Sequence, residues 1–550
     1  MRVLPTTLIR SKRGLTTIVA TAAVAVGTVA SIGAAAPAAK VQRAEVSLNQ
    51  ILPAPVEVRT SDGGAFELRP GTEIHTTAGS PGATDAGNYL ATLLKPATGY
   101  GLPVQAIPAG RPSGRPADGI SLLLGGADRR VGPQGYELDV TRRSVVIRAN
   151  EPAGLFSGVQ TLRQLLPVRI ESTTRQNGPW TVQTGRVLDY PRYAYRGALL
   201  DVARHFFPVE TVKKYIDNVA RYKVNYLHLH ITDDAGWRVA IDSWPKLATY
   251  GGSSGVGGQL PGHYSKAEFS EIIRYASQRG ITVVPEIEGP GHSQAALASY
   301  AELNCDGKAK ELYTGWVPSP DGMLCVRKDI TYKFLDDVIR EITALTPGPY
   351  LHIGADEAHS MAPEDFAYYI SKVTPIVRKY GKKLIGWQEM VSAQPGEAIG
   401  QYWIDGVNNE DIVAAVAKGT KFIMTPADHA YLDMKYNPSQ PAYPVGNVWA
   451  GTTDVEDAYN WQPDTELPGL TESAVTGVEA ALWTETLFAL EHIEALAFPR
   501  LLAIAEIGWS PKTSHDWNAF SGRLAAQGPR LRTARVNYTL TSGVPWQACS

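Results

Sequence analysis

The sequence predicts an α/β protein in which a (β/α)8 barrel domain follows a small α+β domain. Its 550 residues leave room for two or three domains. Between residues 51 and 183, short strand-like runs alternate with turns. Beyond residue 195, apolar strands and amphipathic helices alternate eight times. Over roughly 290 residues, this alternation fits a closed barrel better than an open sheet.

The beginning of the chain has the pattern of a secretory signal. Four basic residues precede an apolar run over residues 15–32, and a small-residue stretch with A-x-A sites follows at 33–39. This pattern predicts a signal peptide over residues 1–39 and a secreted, extracellular protein. A retained N-terminal anchor helix is the alternative, which the cleavable alanine-rich end disfavours.

Residues 45–188 are predicted to form the α+β domain. Residues 135–140 and 144–149 alternate apolar and polar side chains on either side of a polar turn. Such alternation is typical of an antiparallel hairpin with one buried face. Further strands are expected at 56–58 and 120–124, and a helix is expected from residue 153 to residue 165.

The barrel domain is predicted to span residues 189–550. A capping box at Ser265 and Glu268 precedes an apolar helical pattern between the second and third strands. The eight strands are expected, in order, at residues 197–202, 226–231, 282–287, 350–353, 383–387, 400–404, 422–424 and 475–482.

A barrel of this kind is expected to carry its function where the strands end, at their C-terminal edge. Asp356 and Glu357 directly follow the predicted fourth strand. Two adjacent carboxylates at a barrel mouth repel each other and lose hydration, which favours a catalytic pair whose pKa values are set apart. Acidic residues are also ordinary in the first turn of a helix, and this second interpretation stays open.

Histidines follow the second and third strands. His228 and His230 share one face of the second strand, and His292 follows a Gly-Pro-Gly turn after the third. Because a His-x-His pair at a strand end is also how metal-dependent barrel hydrolases hold their ion, such a hydrolase is the rival enzyme class. It would need further ligands at later strand ends, where the sequence has Trp, Glu and Tyr.

Aromatic and acidic residues follow the later strands. Indole rings stack on the apolar face of a sugar ring, and carboxylates accept hydrogen bonds from neighbouring hydroxyls. A single Trp would be read as a core residue, but three at strand ends indicate carbohydrate contact. The residues are Trp387 and Glu389 after strand five, Trp403 and Asp405 after strand six, Tyr431 and Asp433 after strand seven, and Trp483 and Glu485 after strand eight.

The charge balance excludes one class of partner. The chain has 52 basic and 54 acidic residues and a formal net charge of −2. It therefore lacks the basic surface that nucleic-acid-binding proteins carry, and we expect no nucleic-acid partner. Once the signal is removed, we expect no membrane partner either.

Cysteine usage fits an exported protein. Cys305 and Cys325 lie close together in sequence, while Cys549 is next to the C-terminus. In an oxidising compartment the first two are the natural disulfide pair, and two reduced cysteines are the alternative. The stretch between them is rich in Gly, Pro and polar residues, so a covalent link would hold a loop that few buried contacts can hold.

A series of motifs runs along the barrel domain. It consists of YRGALLDVARH at 195–205, HITDDAGW at 230–237, PGH at 290–292 and HIGADE at 352–357. These stretches resemble the signatures of the β-N-acetylhexosaminidases of glycoside hydrolase family 20, of the secreted actinobacterial type. The hairpin near residue 135 and the helix at 154–166 also resemble that family's N-terminal domain, so the resemblance covers nearly the whole mature chain.

The resemblance implies an exo-acting enzyme. It would remove terminal N-acetylglucosamine, with N-acetylgalactosamine as a further candidate, from β-linked glycosides such as chitooligosaccharides. The implied substrate is an oligosaccharide or glycoconjugate, and no cofactor or metal is implied. The implied mechanism retains the anomeric configuration and passes through an oxazolinium intermediate, which the substrate's own 2-acetamido group forms.

The resemblance also implies catalytic roles. Glu357 would be the general acid and afterwards the base for water, while Asp356 would hold and charge the acetamido group. Tyr431 would donate a hydrogen bond to the acetamido oxygen. Asp233 and His292 would form a relay behind Glu357 that tunes its protonation.

Sugar-binding residues are implied as well. A catalytically inactive sugar-binding barrel is the remaining alternative, which the intact carboxylate pair disfavours. The implied residues are Trp387, Trp403 and Trp483 for the wall of the acetamido pocket, Arg196, Asp433 and Glu485 for the hydroxyls of the terminal sugar, and Trp449 for the leaving sugar.

Three positions depart from the family's pattern. Ala355 stands where a second Gly is usual, Ala235 where Gln is common, and Gly289 where a larger apolar residue often precedes Pro-Gly-His. If the backbone at residue 355 has a positive φ, the added methyl strains the strand end beside Asp356.

Overall fold

The computed structural model describes residues 44–107, 118–393, 396–438 and 444–546. The predicted signal peptide and Cys549 lie outside these ranges. Within them, a seven-stranded mixed sheet comes first and a closed barrel of eight parallel strands follows. The predicted fold class is therefore confirmed.

The N-terminal sheet packs against two helices, Pro81–Thr98 and Pro152–Leu165. The predicted hairpin is present, and its two strands pair antiparallel with Val140 opposite Val145. Apolar side chains of the sheet and of both helices form one core. In spatial order the strands are Glu57–Leu68, Trp180–Asp189, Tyr136–Val140, Ser144–Ala149, Gly119–Leu124, Ile74–Thr77 and Val104–Ile107.

The barrel strands lie within two residues of their predicted bounds at both ends. Because all eight run parallel, their C-terminal ends meet at one mouth. A short ribbon of Thr232–Asp233 and Gly236–Trp237 follows the second strand. The barrel strands are, in order, Tyr195–Asp201, Tyr226–His230, Thr282–Glu286, Tyr350–His352, Lys383–Trp387, Ala398–Tyr402, Lys421–Met424 and Val475–Ala480.

Helices surround the barrel. The predicted capping box is present: Glu268 N donates to Ser265 Oγ at 3.2 Å, and Ser265 N donates to Glu268 Oε2 at 2.8 Å. Within the described ranges, every helix is too short or too polar to cross a membrane. The helices of this domain are Val209–Ala220, Lys266–Ser277, Gln294–Ser299, Asp329–Leu345, Pro363–Lys379, Asn409–Ala417, Ala427–Ala430, Val455–Tyr459, Leu490–Ala497, Arg500–Trp509 and Trp517–Thr533.

The inside of the barrel changes from apolar to polar along its axis. A buried apolar layer near the N-terminal end is formed by Tyr195, Val284, Ile385 and Ile423. Closer to the mouth, His228 Nδ1 lies 2.8 Å from Glu479 Oε1, and His228 Nε2 lies 3.2 Å from Glu286 Oε2. The floor of the mouth is therefore a network of buried charges.

Cys305 and Cys325 form a disulfide, as predicted. The loop that they close is also held by hydrogen bonds to the barrel mouth. Ser319 N donates to Asp234 Oδ2 at 2.8 Å, and Ser293 N donates to Gly322 O at 2.9 Å. The bridge thus fixes a loop against the segments that follow the second and third strands.

We expect one free thiol per chain when the denatured, unreduced protein is titrated, because the chain has three cysteines and two of them are paired. Reduction should lower the free energy of unfolding by about 3 kcal/mol, since the bridge restricts the unfolded chain. Urea denaturation with and without reductant measures this difference. Three free thiols, or a peptide map that links Cys549 to another cysteine, would contradict the pairing.

Candidate active site

Asp356 and Glu357 lie in a loop at the barrel mouth, between the fourth strand and the helix Pro363–Lys379. Since that helix begins several residues later, the alternative of an ordinary first-turn pair is wrong. The Asp356 side chain is 15% exposed and the Glu357 side chain 30%. Glu357 is thus the carboxyl group that an incoming ligand can reach more easily.

The backbone around the pair is strained. Gly354, Ala355 and Glu357 have φ values of +65°, +73° and +49°, and His292 has a φ of +49°. A residue with a side chain adopts this left-handed region at a cost of about 1 to 3 kcal/mol. The sequence-based expectation for Ala355 is therefore confirmed, and the strain is concentrated where the carboxylates are aimed.

His292 lies within 4 Å of four carboxylates, those of Asp233, Asp234, Asp356 and Glu357. Its Nε2 is 3.2 Å from Glu357 Oε2 and 3.5 Å from Asp356 Oδ2, while its Nδ1 is 3.4 Å from Asp233 Oδ2. Burial would lower the pKa of His292, but the charges of Asp356 and Asp233 raise it well above its usual value. The imidazole therefore lies between Asp233 and Glu357, in surroundings that favour its protonation and in the arrangement that the predicted relay requires.

The two carboxyl groups of the pair have pKa values shifted in opposite directions. Burial raises the pKa of Asp356 to about 6, with support from the charges of Glu357 and Glu286 and against the charge of His292. Burial would also raise the pKa of Glu357, but the contact with His292 outweighs it and the net shift is downward. The surroundings of the pair thus favour protonation of Asp356 over protonation of Glu357.

Arg204 is a cationic side chain at the mouth. It follows the first strand, and its Nη2 lies 3.0 Å from Asp233 Oδ2 and 3.9 Å from Glu485 Oε1. Its guanidinium also lies 4.9 Å from the centre of the Trp483 ring. Burial would raise the pKa of Asp233, but the charges of Arg204 and His292 hold it well below its usual range.

The prediction that Arg196 binds sugar hydroxyls is wrong. Arg196 is the second residue of the first strand, at the end of the barrel away from the mouth. Its Nε donates to Lys223 O at 2.9 Å, and its Nη1 donates to Tyr193 O at 2.8 Å. Arg204 in the same motif is the arginine at the mouth, and the rule that site residues come after a strand end points to it.

Aromatic rings from four strand ends form one cluster. The Trp387 and Trp483 rings are 5.7 Å apart, the Tyr431 and Trp483 rings 5.9 Å, and the Tyr431 and Trp403 rings 6.4 Å. Burial and the charge of Asp356 raise the pKa of Tyr431 well above its usual value. Tyr431 therefore keeps its hydroxyl proton beside Asp356, and the structure brings these four predicted residues together.

Trp449 lies at the rim of this cluster. It is 53% exposed, and its ring meets Trp403 at 6.1 Å and Tyr431 at 5.8 Å, both edge-on. An exposed indole next to a buried aromatic pocket is suited to stack on a group that projects from that pocket.

Glu389 joins the acid to the aromatic cluster, a role that the sequence did not assign. Glu357 N donates to Glu389 Oε1 at 3.4 Å, and Trp403 Nε1 donates to Glu389 Oε2 at 3.2 Å. Burial and the charge of Asp356 raise the pKa of Glu389 to about 7. The side chain thus fixes Glu357 relative to the ring of Trp403.

Buried polar atoms without partners line the same region. Asp433 Oδ1, Glu485 Oε2, Trp483 Nε1 and Asp356 Oδ1 have no hydrogen-bond partner. Burial raises the pKa of Asp433 to about 8, and burial also raises the pKa of Glu485. Unpaired buried groups of this kind are costly unless a ligand pairs with them, as sugar hydroxyls and an amide would.

The three histidines that a metal-dependent hydrolase would use do not converge on a common site. His228 and His230 both contact Glu286 inside the barrel, whereas His292 faces Glu357. Among the described residues, five groups have potential metal-ligand atoms within 4.8 Å of one another; they include His292, Asp356 and Glu357 at the mouth, and His228, Glu286 and His352 inside the barrel. Glu286 already contacts the imidazoles of His228 and His352.

The two other departures from the family's pattern lie close to the site. A Cβ built on Gly289 would overlap the hydroxyl of Tyr369, so this tyrosine fills the space that a larger residue would need. Ala235 is buried next to Asp234, in the ribbon that follows the second strand.

Two family models match the chain. The model for the glycosyl hydrolase family 20 catalytic domain matches residues 193–512, and the model for domain 2 of that family matches residues 49–190. Among curated proteins, the chain is 39% identical over 500 residues to a β-N-acetylhexosaminidase from Cellulomonas fimi. That alignment covers 90% of this chain and 97% of the relative.

Solved structures give the same likeness. The chain is similar to a family 20 β-N-acetylhexosaminidase from Streptomyces coelicolor, with a TM-score of 0.86, 50% identity and coverage of 91% of this chain and 99% of the other. It is equally similar to a mutant β-hexosaminidase from Streptomyces plicatus in complex with the product GlcNAc, with a TM-score of 0.86, 50% identity and coverage of 91% and 98%.

Proposed function

The chain belongs to glycosyl hydrolase family 20, and from this premise we infer that it is an exo-acting β-N-acetylhexosaminidase. It removes terminal N-acetylglucosamine from the non-reducing end of β-linked glycosides. One observation carries this conclusion. Asp356 and Glu357 are adjacent and lie next to a buried aromatic cluster, and buried polar atoms of the same region have no hydrogen-bond partner in the protein.

The reaction uses the substrate's acetamido group as the nucleophile. Its carbonyl oxygen attacks the anomeric carbon, the glycosidic bond breaks, and Glu357 transfers its proton to the leaving oxygen. Asp356 accepts a hydrogen bond from the acetamido N–H and stabilises the positive oxazolinium ring, while Tyr431 donates to the acetamido oxygen. Water, deprotonated by Glu357, then opens the ring, so the anomeric configuration is retained.

Substrate binding must reverse the order of protonation in the pair. Catalysis needs an ionised Asp356 and a protonated Glu357, whereas the unliganded site favours the proton on Asp356. The acetamido N–H lowers the pKa of Asp356 by donating to it, and a bound sugar raises the pKa of Glu357 by excluding water. Binding energy of the acetamido group is thereby used to prepare the acid.

The relay supports the second half of the reaction. After it protonates the leaving group, Glu357 is an anion 3.2 Å from the imidazole of His292. The cation of His292, backed by Asp233, stabilises this anion and holds the carboxylate in the orientation from which it accepts a proton from water. Asp233 is in turn held by Arg204 at 3.0 Å, so the relay and the sugar-binding side of the mouth share one residue.

Turnover of a chromogenic N-acetylglucosaminide tests the proposed function. We expect hydrolysis with retained configuration by NMR, near-complete loss when the 2-acetamido group is replaced by hydroxyl, and strong inhibition by a thiazoline mimic of the intermediate. Activity on the 2-hydroxyl substrate, or a covalent sugar trapped on any carboxylate, would contradict the assisted mechanism.

Replacing Arg204 by Lys should lower kcat/KM by about tenfold to 10²-fold, because Lys cannot present the planar donor fork to sugar hydroxyls and to Asp233 and Glu485 at once. Arg196→Lys is the matched control. It removes bonds to backbone carbonyls at the other end of the barrel, so it should lower the melting temperature more than kcat/KM. Equal losses of kcat/KM in both variants would contradict the assignment of the sugar-binding role to Arg204 in place of Arg196.

The leaving group proposed here is a further sugar, as in chitooligosaccharides. The exposed ring of Trp449 beside the aromatic cluster supports this proposal. Trp449→Ala should raise KM for chitobiose more than KM for an aryl glycoside, which cannot reach as far along the rim.

N-Acetylgalactosaminides are the further candidate substrates. The ratio of kcat/KM on an aryl N-acetylgalactosaminide to kcat/KM on the corresponding aryl N-acetylglucosaminide tests them.

We also propose that the enzyme is secreted and acts outside the cell. The signal pattern over residues 1–39 and the Cys305–Cys325 bridge support this localisation. Expression of the full chain should release a protein into the medium whose N-terminus, by sequencing, lies close to residue 40. Retention of the intact N-terminus in the membrane fraction would favour the anchor helix instead.

A further inference from the structure

Glu288 is a buried carboxyl group that the mechanism does not use. It lies two residues beyond the third strand, its side chain is 2% exposed, and neither of its oxygens has a hydrogen-bond partner. A buried carboxylate without partners is unfavourable, because ionisation in such surroundings forfeits hydration with no compensation. Glu288 is therefore expected either to be protonated and uncharged or to have a cationic partner that compensates its charge.

A neighbouring glutamate shows the contrast. Glu286 is equally buried, but it accepts a hydrogen bond from Trp387 Nε1 at 2.9 Å, lies 2.8 Å from His352 Nδ1 and also contacts His228 and His230. These partners hold the pKa of Glu286 well below its usual range against the effect of burial. Two glutamates on one strand end thus have opposite surroundings.

The cations near Glu288 are engaged elsewhere. His230 Nδ1 lies 3.7 Å from Glu288 Oε1, yet this nitrogen is hydrogen-bonded to Glu286. Burial, followed by the charge of Asp356, raises the pKa of Glu288 well above its usual value. Several charged or titratable groups face Glu288. They are His230 at the end of the second strand, Asp233 in the ribbon that follows it, Glu286 and His292 on its own segment, Asp356 after the fourth strand, Arg204 after the first, and Tyr369 on a helix.

Glu288 also touches the backbone that carries the catalytic pair. A Cβ built on Gly354 would overlap the carboxyl group of Glu288, so the two are in direct contact. Gly354 and Ala355 are two successive residues in the left-handed region, and they lead to Asp356. The carboxyl group of Glu288 thus packs directly against the backbone of this turn and limits where the turn can lie.

We propose that Glu288 is a protonated, uncharged positioning residue that supports the Gly354 turn and thereby aligns Asp356. An uncharged support is required at this place because a further anion would raise the proton affinity of Asp356, which must be ionised to stabilise the oxazolinium ring. The inference rests on the proposed function for its kinetic part and on the structure alone for the protonation state.

Infrared difference spectroscopy of the wild type minus Glu288→Gln, at pH 7, tests the protonation state directly. We expect the wild type to show a protonated-carboxyl C=O band that the variant lacks. Loss of carboxylate bands instead would overturn the proposal. This measurement needs no activity, so it is independent of whether the proposed function is correct.

The pH profile of kcat/KM gives a second readout. If Glu288 is uncharged, Glu288→Gln removes no charge, and its profile should superimpose on that of the wild type. If Glu288 were ionised, its removal would lower the pKa values of the pair, and the alkaline limb would move to lower pH. Such a displacement would overturn the proposal.

Glu288→Ala tests the support itself. We expect kcat to fall by roughly tenfold or more with little change in KM, because a shift of about an ångström in a reacting group costs up to about 10²-fold. Gln at this position should restore most of kcat. An Ala variant as active as the wild type, or a folded Gln variant as inactive as the Ala variant, would refute the role. If the Ala variant does not fold, the kcat of the Gln variant still tests the positioning role of Glu288, and the infrared spectrum still tests its protonation state.

Discussion

Glu357→Gln should lose activity most on glycosides with poor leaving groups. An alkoxide that leaves from a sugar needs a proton at the transition state, whereas an activated aryloxide leaves with little assistance. For a disaccharide we expect kcat to fall by about 10² to 10⁴, the usual contribution of general acid catalysis. A series of aryl glycosides with graded phenol pKa values should show a much steeper dependence of kcat on the leaving group than in the wild type.

The matched control is Glu364→Gln, an exposed glutamate in the first turn of the helix that follows the site. It makes the same chemical change a few residues away and should leave the dependence on the leaving group unaltered. An equal loss across all leaving groups in Glu357→Gln would remove Glu357 from the acid role. The position of Glu357, more exposed than Asp356 and in contact with His292, is the structural reason for the role.

The barrel could be predicted from the sequence because its signals are local. Each parallel strand is an apolar run of a few residues, and Gly, Pro and polar residues mark where it ends. The strand ends then located Asp356, His292, Tyr431 and the tryptophans without any knowledge of contacts. The same rule, applied to the first strand, indicates Arg204, and the assignment to Arg196 was wrong because it came from the start of the motif.

The N-terminal sheet was harder to predict. The strands Ile74–Thr77 and Val104–Ile107 have four residues each and pair in parallel, so they carry neither a hairpin turn nor a long alternation. The helix Pro81–Thr98 contains Pro96, a residue that usually marks a helix end. Tertiary packing against the sheet decides these elements, and local sequence patterns do not reveal such packing.

The hydrogen-bond and ion-pair partners of buried side chains could not be predicted from the sequence either, because they come from distant parts of the chain. Glu286 and Glu288 look alike in the sequence, yet one meets Trp387 and His352 and the other meets none of them. These partners are brought together by closure of the barrel, from positions far apart along the chain. Protonation preferences at the site therefore follow from the three-dimensional arrangement, whereas the proposed catalytic pair could be found from the motif.

Asp356→Asn should lower kcat by about 10² to 10³ for good and poor leaving groups alike, because the lost interaction aligns the acetamido group and stabilises its positive charge. An amide can still donate or accept one hydrogen bond, but it carries no charge to oppose that of the oxazolinium ring. Asp62→Asn, at an exposed position of the N-terminal domain, is the control for the chemical change.

The pH dependence distinguishes this variant further. In the wild type the pair must hold one proton, so kcat/KM should fall as pH rises through about 6, where the pair loses it. With Asn at position 356 the only proton to lose is that of Glu357; burial raises the pKa of this group, but the contact with His292 outweighs burial and shifts it downward. The alkaline limb of the residual activity should therefore move to lower pH. Wild-type turnover, or an alkaline limb that stays in place, would show that Asp356 does not share the catalytic proton.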